Sequence, residues 1–142
     1  MTLQEIVYKV LNIAKQQPNI NYVNEGDIYT LNSNPNIDYS VFFITQTNHR
    51  TSYDSVTYNL VLYYIDRLTN NGSNRLQIQS QGIQELNNIL NIAVAELDVD
   101  IEDVTYTTFT HKFTDDCAGV FATVAITTKN DLGGCGYGSI QE

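Results

Sequence analysis

The sequence predicts an α+β fold, two helices packed on an antiparallel sheet with a long projecting β-hairpin. Three observations predict it. Apolar residues recur at three- and four-residue intervals near the start of the chain and again between Leu76 and Leu97; β-branched and aromatic residues alternate with period two between Tyr39 and Tyr64; and a second extended signal closes the chain after the second helical run. The 142 residues suit one domain with one core.

Thr2 and Glu5 have capping-box spacing, Met1 and Ile6 are placed to staple across the cap, and Leu3, Ile6, Val7, Val10, Ile13 and Ala14 line one helical face, so a helix is expected over residues 2–16. Pro18 ends it, because the residue before proline is pushed out of helical geometry. Tyr22-Val23 and Ile28-Tyr29 flank Gly26-Asp27, a pattern that fits either a short hairpin or two edge strands. Residues 32–36, all Asn, Ser and Pro, read as a loop.

Two strands follow, one around Tyr39 to Ile44 and one over Val56 to Tyr64. The stretch between them, TQTNHRTSYDS at Thr45 to Ser55, is polar and lacks Gly and Pro, which predicts an exposed, projecting hairpin loop. Its His49 and Arg50 are candidate binding residues, although polar hairpin tips also carry such side chains simply solvated. After an Asn-Gly-Ser turn, Asn74 and Gln77 repeat the capping-box spacing in amide form and start a second helix. Leu76, Ile83, Leu86, Leu90, Ala93 and Leu97 give it one apolar stripe, broken at Gln79. That spacing fits a coiled-coil seam as well, but the flanking strand signals favour a helix lying across a sheet.

DVDIED at Asp98 to Asp103 turns the chain into a strand over Val104 to Phe113, Thr114 to Cys117 make a further turn, and AGVFATVAITT at Ala118 to Thr128 is the last strand. Residues 1–128 therefore form one domain, and residues 129–142 a Gly-rich C-terminal tail. The acidic run is not a calcium loop, since Asp103 stands where the sixth-position Gly would be needed.

Composition narrows function by exclusion. Charged residues are 16% of the chain and hydrophobic ones 42%, which excludes charge-driven disorder. No apolar run approaches the roughly 18 residues of a spanning helix, and the N-terminus lacks the pattern of a secretion signal. A net charge of -9 disfavours a general grip on nucleic-acid phosphates and on acidic membranes. Polarity comes instead from sixteen Asn, nine Gln and fifteen Thr. Such a neutral surface, studded with ten Tyr, suits self-association, though an AT-rich genome produces the same bias.

Catalytic signals are missing. Cys117 and Cys135 lack zinc-site partners and read as reduced thiols. Neither cysteine nor either histidine sits in a nucleophile motif, His111 reads as an ordinary strand residue, and Asp115-Asp116 as a turn. The tail's GGCGYG has no helix after it to aim at a phosphate. No enzyme activity, cofactor or metal is expected.

The order helix, short hairpin, long hairpin, second helix, two strands resembles the small tail-terminator and neck proteins of tailed bacteriophages. A more local likeness, to short virion proteins from phages of the Bacteroidetes, is carried by GDIYTLN at Gly26 to Asn32 leading to IDYSVFF, by LVLYYIDRL at Leu60 to Leu68 with the IQSQGIQELNNIL helix after it, and by DDCAGVFATVAI. The resemblance implies a virion structural protein, made in the bacterial host cytoplasm, that forms a homo-oligomeric ring at the head–tail junction, as neck or tail terminator. Its neighbours would be further copies and the portal, neck or tail proteins, with genomic DNA passing through the ring without specific binding. A closed ring repeats one heterologous contact; the candidates for it are His49, Arg50, Tyr53 and Tyr137. An acidic lumen would let DNA slide. The competing class is a small binding module working as a monomer or dimer around a pocket.

Overall fold

A computed structural model describes residues 1–28, 37–69, 71–110 and 116–130. Helix α1 (Leu3–Lys15) starts as its sequence dictates: the Thr2 hydroxyl accepts from the Glu5 N–H at 3.2 Å and the Glu5 carboxylate from the Thr2 N–H at 2.9 Å. Two orphan donors of the first turn are thereby satisfied. Strands β1 (Tyr22–Glu25), β2 (Val41–Thr51) and β3 (Ser55–Arg67) follow, then α2 (Arg75–Leu97), β4 (Asp100–Ile101), β5 (Thr105–Thr110) and β6 (Cys117–Lys129).

The sheet order is β1-β2-β3-β6, with β4 and β5 both on the far side of β6. Ile101 opposes Ile126 and Thr105 opposes Thr123, so β4 and β5 are one edge strand interrupted by a single extra residue. All pairs are antiparallel except β1 with β2. The sheet is thus mixed, not purely antiparallel, and β1 is not half of a local hairpin. Gly26, at φ +134°, turns the chain away after Glu25, and it returns through Ser40, whose carbonyl accepts from the Asn21 and Tyr22 N–H groups. Ile28 is not in a strand, and residues 29–36, including the expected loop, lie outside the described residues.

Both helices cover one sheet face. Val56, Tyr58, Leu60, Leu62 and Tyr64 of β3 and Ala118, Val120, Ala122, Val124 and Ile126 of β6 point into the core with Ile6, Val10, Leu86 and Ile89 of the helices. Each large aliphatic side chain fully buried there contributes about 1.5–3 kcal/mol. Helix α2 lies close to the sheet because residue 82 is Gly: a Cβ there would sit 2.5 Å from Val120 Cγ1 and 2.8 Å from the Tyr64 ring. The opposite sheet face carries a smaller cluster of Val41, Phe43, Ile65 and Cys117. Beside it Tyr63, Phe109 and Phe121 are half-buried with ring centroids 5.6–6.5 Å apart.

Three local expectations change. Thr45 to Thr51 is strand, leaving only Ser52 to Asp54 as the turn. Asn74 does not cap α2 with its side chain; its amide bonds the Arg67 carbonyl at 3.2 Å and accepts from the Thr69 N–H at 2.9 Å, tying down the turn between β3 and α2. The apolar stripe of α2 splits as well. Its buried face is Ile78, Gln79, Gly82, Leu86, Ile89, Leu90, Ala93 and Leu97, whereas Leu76 and Ile83 lie outside the core. Gln79, the polar break, is itself buried, and its amide donates to the Phe109 carbonyl at 3.2 Å, fastening the helix to β5. No helix among the described residues is long and apolar enough to cross a membrane. Strand β6 runs through Lys129, and Asn130 bonds the Ser52 and Asp54 carbonyls.

Candidate interaction surface

The β2–β3 hairpin places the residues singled out in the sequence. Gln46 opposes Leu60 but His49 opposes Tyr58, so Thr47 and Asn48 together face Asn59 across a β-bulge. Side chains close the gap. The Asn59 N–H donates to His49 Nδ1 at 3.2 Å, the Asn59 amide to the Asn48 carbonyl at 2.8 Å, and the Thr47 hydroxyl to the Asn59 carbonyl at 3.0 Å. Because Nδ1 accepts, the proton sits on Nε2, which donates to Gln46 Oε1 at 3.1 Å. The extra residue also puts His49 on the same face as Gln46, where the imidazole meets the Tyr58 ring edge-on at 5.5 Å. Tyr58 in turn donates to the Met1 carbonyl at 3.0 Å. His49 is therefore a fastening of the hairpin.

Arg50, the next residue along, projects from the opposite face, and both side chains are exposed. Tyr53 stands in the turn, 100% exposed. The turn is built by Ser52, which exchanges hydrogen bonds with Ser55 at 2.7–2.8 Å, and by Asn130, whose amide holds the Ser52 carbonyl at 2.8 Å. The hairpin end thus gathers His49, Arg50 and Tyr53 at one end of the sheet without converging them on a point. Tyr137, His111, Asp115, Cys135 and the GGCGYG segment lie outside the described residues.

The acidic turn after α2 reaches the same end. Asp98, in the left-handed conformation at φ 50°, ends the helix, and with Asp100, Asp54 and Lys129 it borders a cleft of about 210 Å³. Asp98, Asp100, Glu102, Asp103 and Asp54 are all exposed. A second open cleft, about 370 Å³, lies between β1, β2 and Tyr63 and is lined by Gly26, Asp27, Ile28, Thr45 and Gln46.

Apart from Glu5, lowered by its hydrogen bonds with Thr2, the perturbed groups are set by burial. Burial pushes the Tyr63, Tyr64 and Tyr58 phenols up. It also raises the Asp66 carboxyl, an effect the Arg67 N–H partly offsets by donating to it at 2.8 Å. Among the described residues no group of three or more His, Cys, Asp or Glu is placed to hold a metal ion. Cys117 is fully buried.

Sequence reasoning missed one surface. Of the five large hydrophobic residues exposed among those described, three are on α2: Leu76 at 69%, Ile83 at 37% and Val94 at 46%. Their signal was present in the three-four spacing, which holds more apolar positions than one buried face needs. The chain matches no family model and no curated protein.

Proposed function

We propose that this chain is a structural virion protein that assembles with itself into a ring at a bacteriophage head–tail junction, as neck or tail terminator, and joins the portal side to the tail. The observation that carries the reading is the arrangement of sheet edges. β1 covers β2 only over Val41 to Ile44, and among the described residues no strand pairs with the outer side of Thr45 to Thr51 or of β5. These edges lie on opposite sides of the protomer. A contact joining one to the other is heterologous, and repeated around a closing rotation it makes a ring.

In this reading the end bearing Asp54, Asp98, Asp100, Glu102 and Asp103 faces the channel and repels DNA phosphates, so that the genome passes without sticking. Negative-stain imaging of the concentrated full chain tests the proposal: rings with a central hole are expected, and a field of single small particles at every concentration overturns it. The cleft beside Tyr63 favours a second reading, a small binding module. A co-purifying small molecule seen in mass spectra of the native chain would support that one instead.

A further inference from the structure

Helix α2 carries few charges for its length: Arg75, Glu85 and Glu96 are the only ionisable residues in its 23. At 100° per residue, Leu76, Ser80, Ile83, Asn87, Leu90 and Val94 fall within about 40° of one line along the helix. None is charged, and the line runs about 27 Å at 1.5 Å per residue. Its direction is fixed by neighbours on both sides. Glu85 and Asn88, on the other flank, bond Asn19 and Gln17 just beyond α1, whereas Gln79, between the line and the core, bonds β5. The apolar line therefore points away from α1 and overhangs the β5 edge.

We infer that this flank of α2 is the contact with a second copy of the chain, the two helices lying antiparallel about a two-fold axis at Glu85. The spacing is self-complementary. Leu76 and Val94 are equidistant from Glu85, as are Ser80 and Leu90, and Ile83 and Asn87. An isologous contact needs that property, because each residue must meet its mirror position on the partner. Antiparallel pairing sets Leu76 against the partner's Val94 at both ends and Ile83 against the partner's Asn87 between them; Leu90, on the same line, is buried in the core and takes no part. Charge selects the same place. Two chains of net charge -9 repel across most of their surfaces, but not along a line without carboxylates, and Glu85 is held away from it by Asn19.

Area sets the strength. A strip about 27 Å long and 10–12 Å wide covers roughly 300 Å² per copy, well under the ~800 Å² per partner of a stable complex, so the dimer forms and dissociates with concentration. A two-fold contact pairs copies and does not close a ring by itself. It goes beyond the ring reading and is tested separately: because this flank overhangs the β5 edge that the ring contact uses, it would hold the chain as a pair before assembly and give way when the ring closes.

Sedimentation of the full-length chain over a wide concentration range is the test, with Leu76→Glu and Val94→Lys as variants. Both sites are exposed, and circular dichroism checks that each variant is folded. A monomer–dimer equilibrium is expected for the parent chain at concentrations below those at which rings form, weakened tenfold or more in either variant, since each substitution enters the contact twice. A mixture of the two variants should associate more tightly than either alone, because antiparallel pairing sets the new carboxylate of one chain against the new ammonium of the other. A strictly monomeric parent overturns the inference, as does association unchanged by both variants or a mixture no tighter than its components. Larger species that persist unchanged in the variants would overturn the two-fold contact while leaving the ring standing.

Discussion

The backbone N–H of Asn59 donates to Nδ1 of His49 at 3.2 Å, replacing with a side chain the strand-to-strand bond that the bulge removes. A net hydrogen bond of this kind contributes about 0.5–1.5 kcal/mol. His49→Ala should therefore raise the exchange rate of the Asn59 amide several-fold while leaving the core amides of β3 protected. Hydrogen exchange read residue by residue checks this, and an unchanged Asn59 rate would remove His49 from the bulge.

Gly82 poses a conflict of sign. Ala gains up to ~1 kcal/mol over Gly in a helix interior, but the added methyl meets Val120 and the Tyr64 ring at 2.5 and 2.8 Å. Overpacking of this kind costs about 1–3 kcal/mol. Gly82→Ala should lower the urea midpoint, and a midpoint equal to or above that of the parent would mean that α2 moves off the sheet at little cost.

Asp66 is half-buried, and its carboxyl is raised from its ordinary value because burial disfavours its charge. The folded chain then binds this proton more readily than the unfolded one, so the ionised group opposes folding at neutral pH and the opposition fades as pH falls through its raised folded value. Asp66→Asn keeps an oxygen to accept from the Arg67 N–H and should raise Tm at pH 7. The gain should vanish in acid, below both values. A gain of equal size at all pH values would assign it to something other than ionisation.

Glu5 behaves in the opposite sense. The Thr2 N–H and hydroxyl hold its carboxyl below the ordinary value, so its contribution is present at neutral pH and is lost as pH falls through that lowered value. Thr2→Ala removes the reciprocal cap and should cost about 1 kcal/mol at neutral pH, less in acid. Thermal unfolding at the two pH values distinguishes this from a loss independent of pH.

The sequence reading succeeded where a side chain had one task. Thr2 and Glu5 could only cap, and the alternating Val56 to Tyr64 run could only line a half-buried strand. It failed where tertiary partners decide. Thr45 to Thr51 carries no apolar alternation because its strand is exposed beyond Ile44, and it is extended because β3, itself backed by β6, runs alongside. Asn74 has the chemistry of a cap, but the Arg67 carbonyl and Thr69 N–H take its amide first. Leu76 and Ile83 fit the core stripe by spacing alone, and the close seat of Gly82 on Tyr64 and Val120 rolls them out of it. The candidate site was legible as a hairpin end. The bulge that brings His49 onto the face of Gln46 is closed by Asn59, a residue on the other strand.

Self-assembly through heterologous edges is the central claim, and native mass spectrometry of the full chain across a wide concentration range tests it most directly. A discrete mass corresponding to one fixed, higher-order copy number, with no ladder beyond it, is the expected result for a contact that closes. A chain that stays monomeric, or stops at the dimer, at every concentration contradicts it.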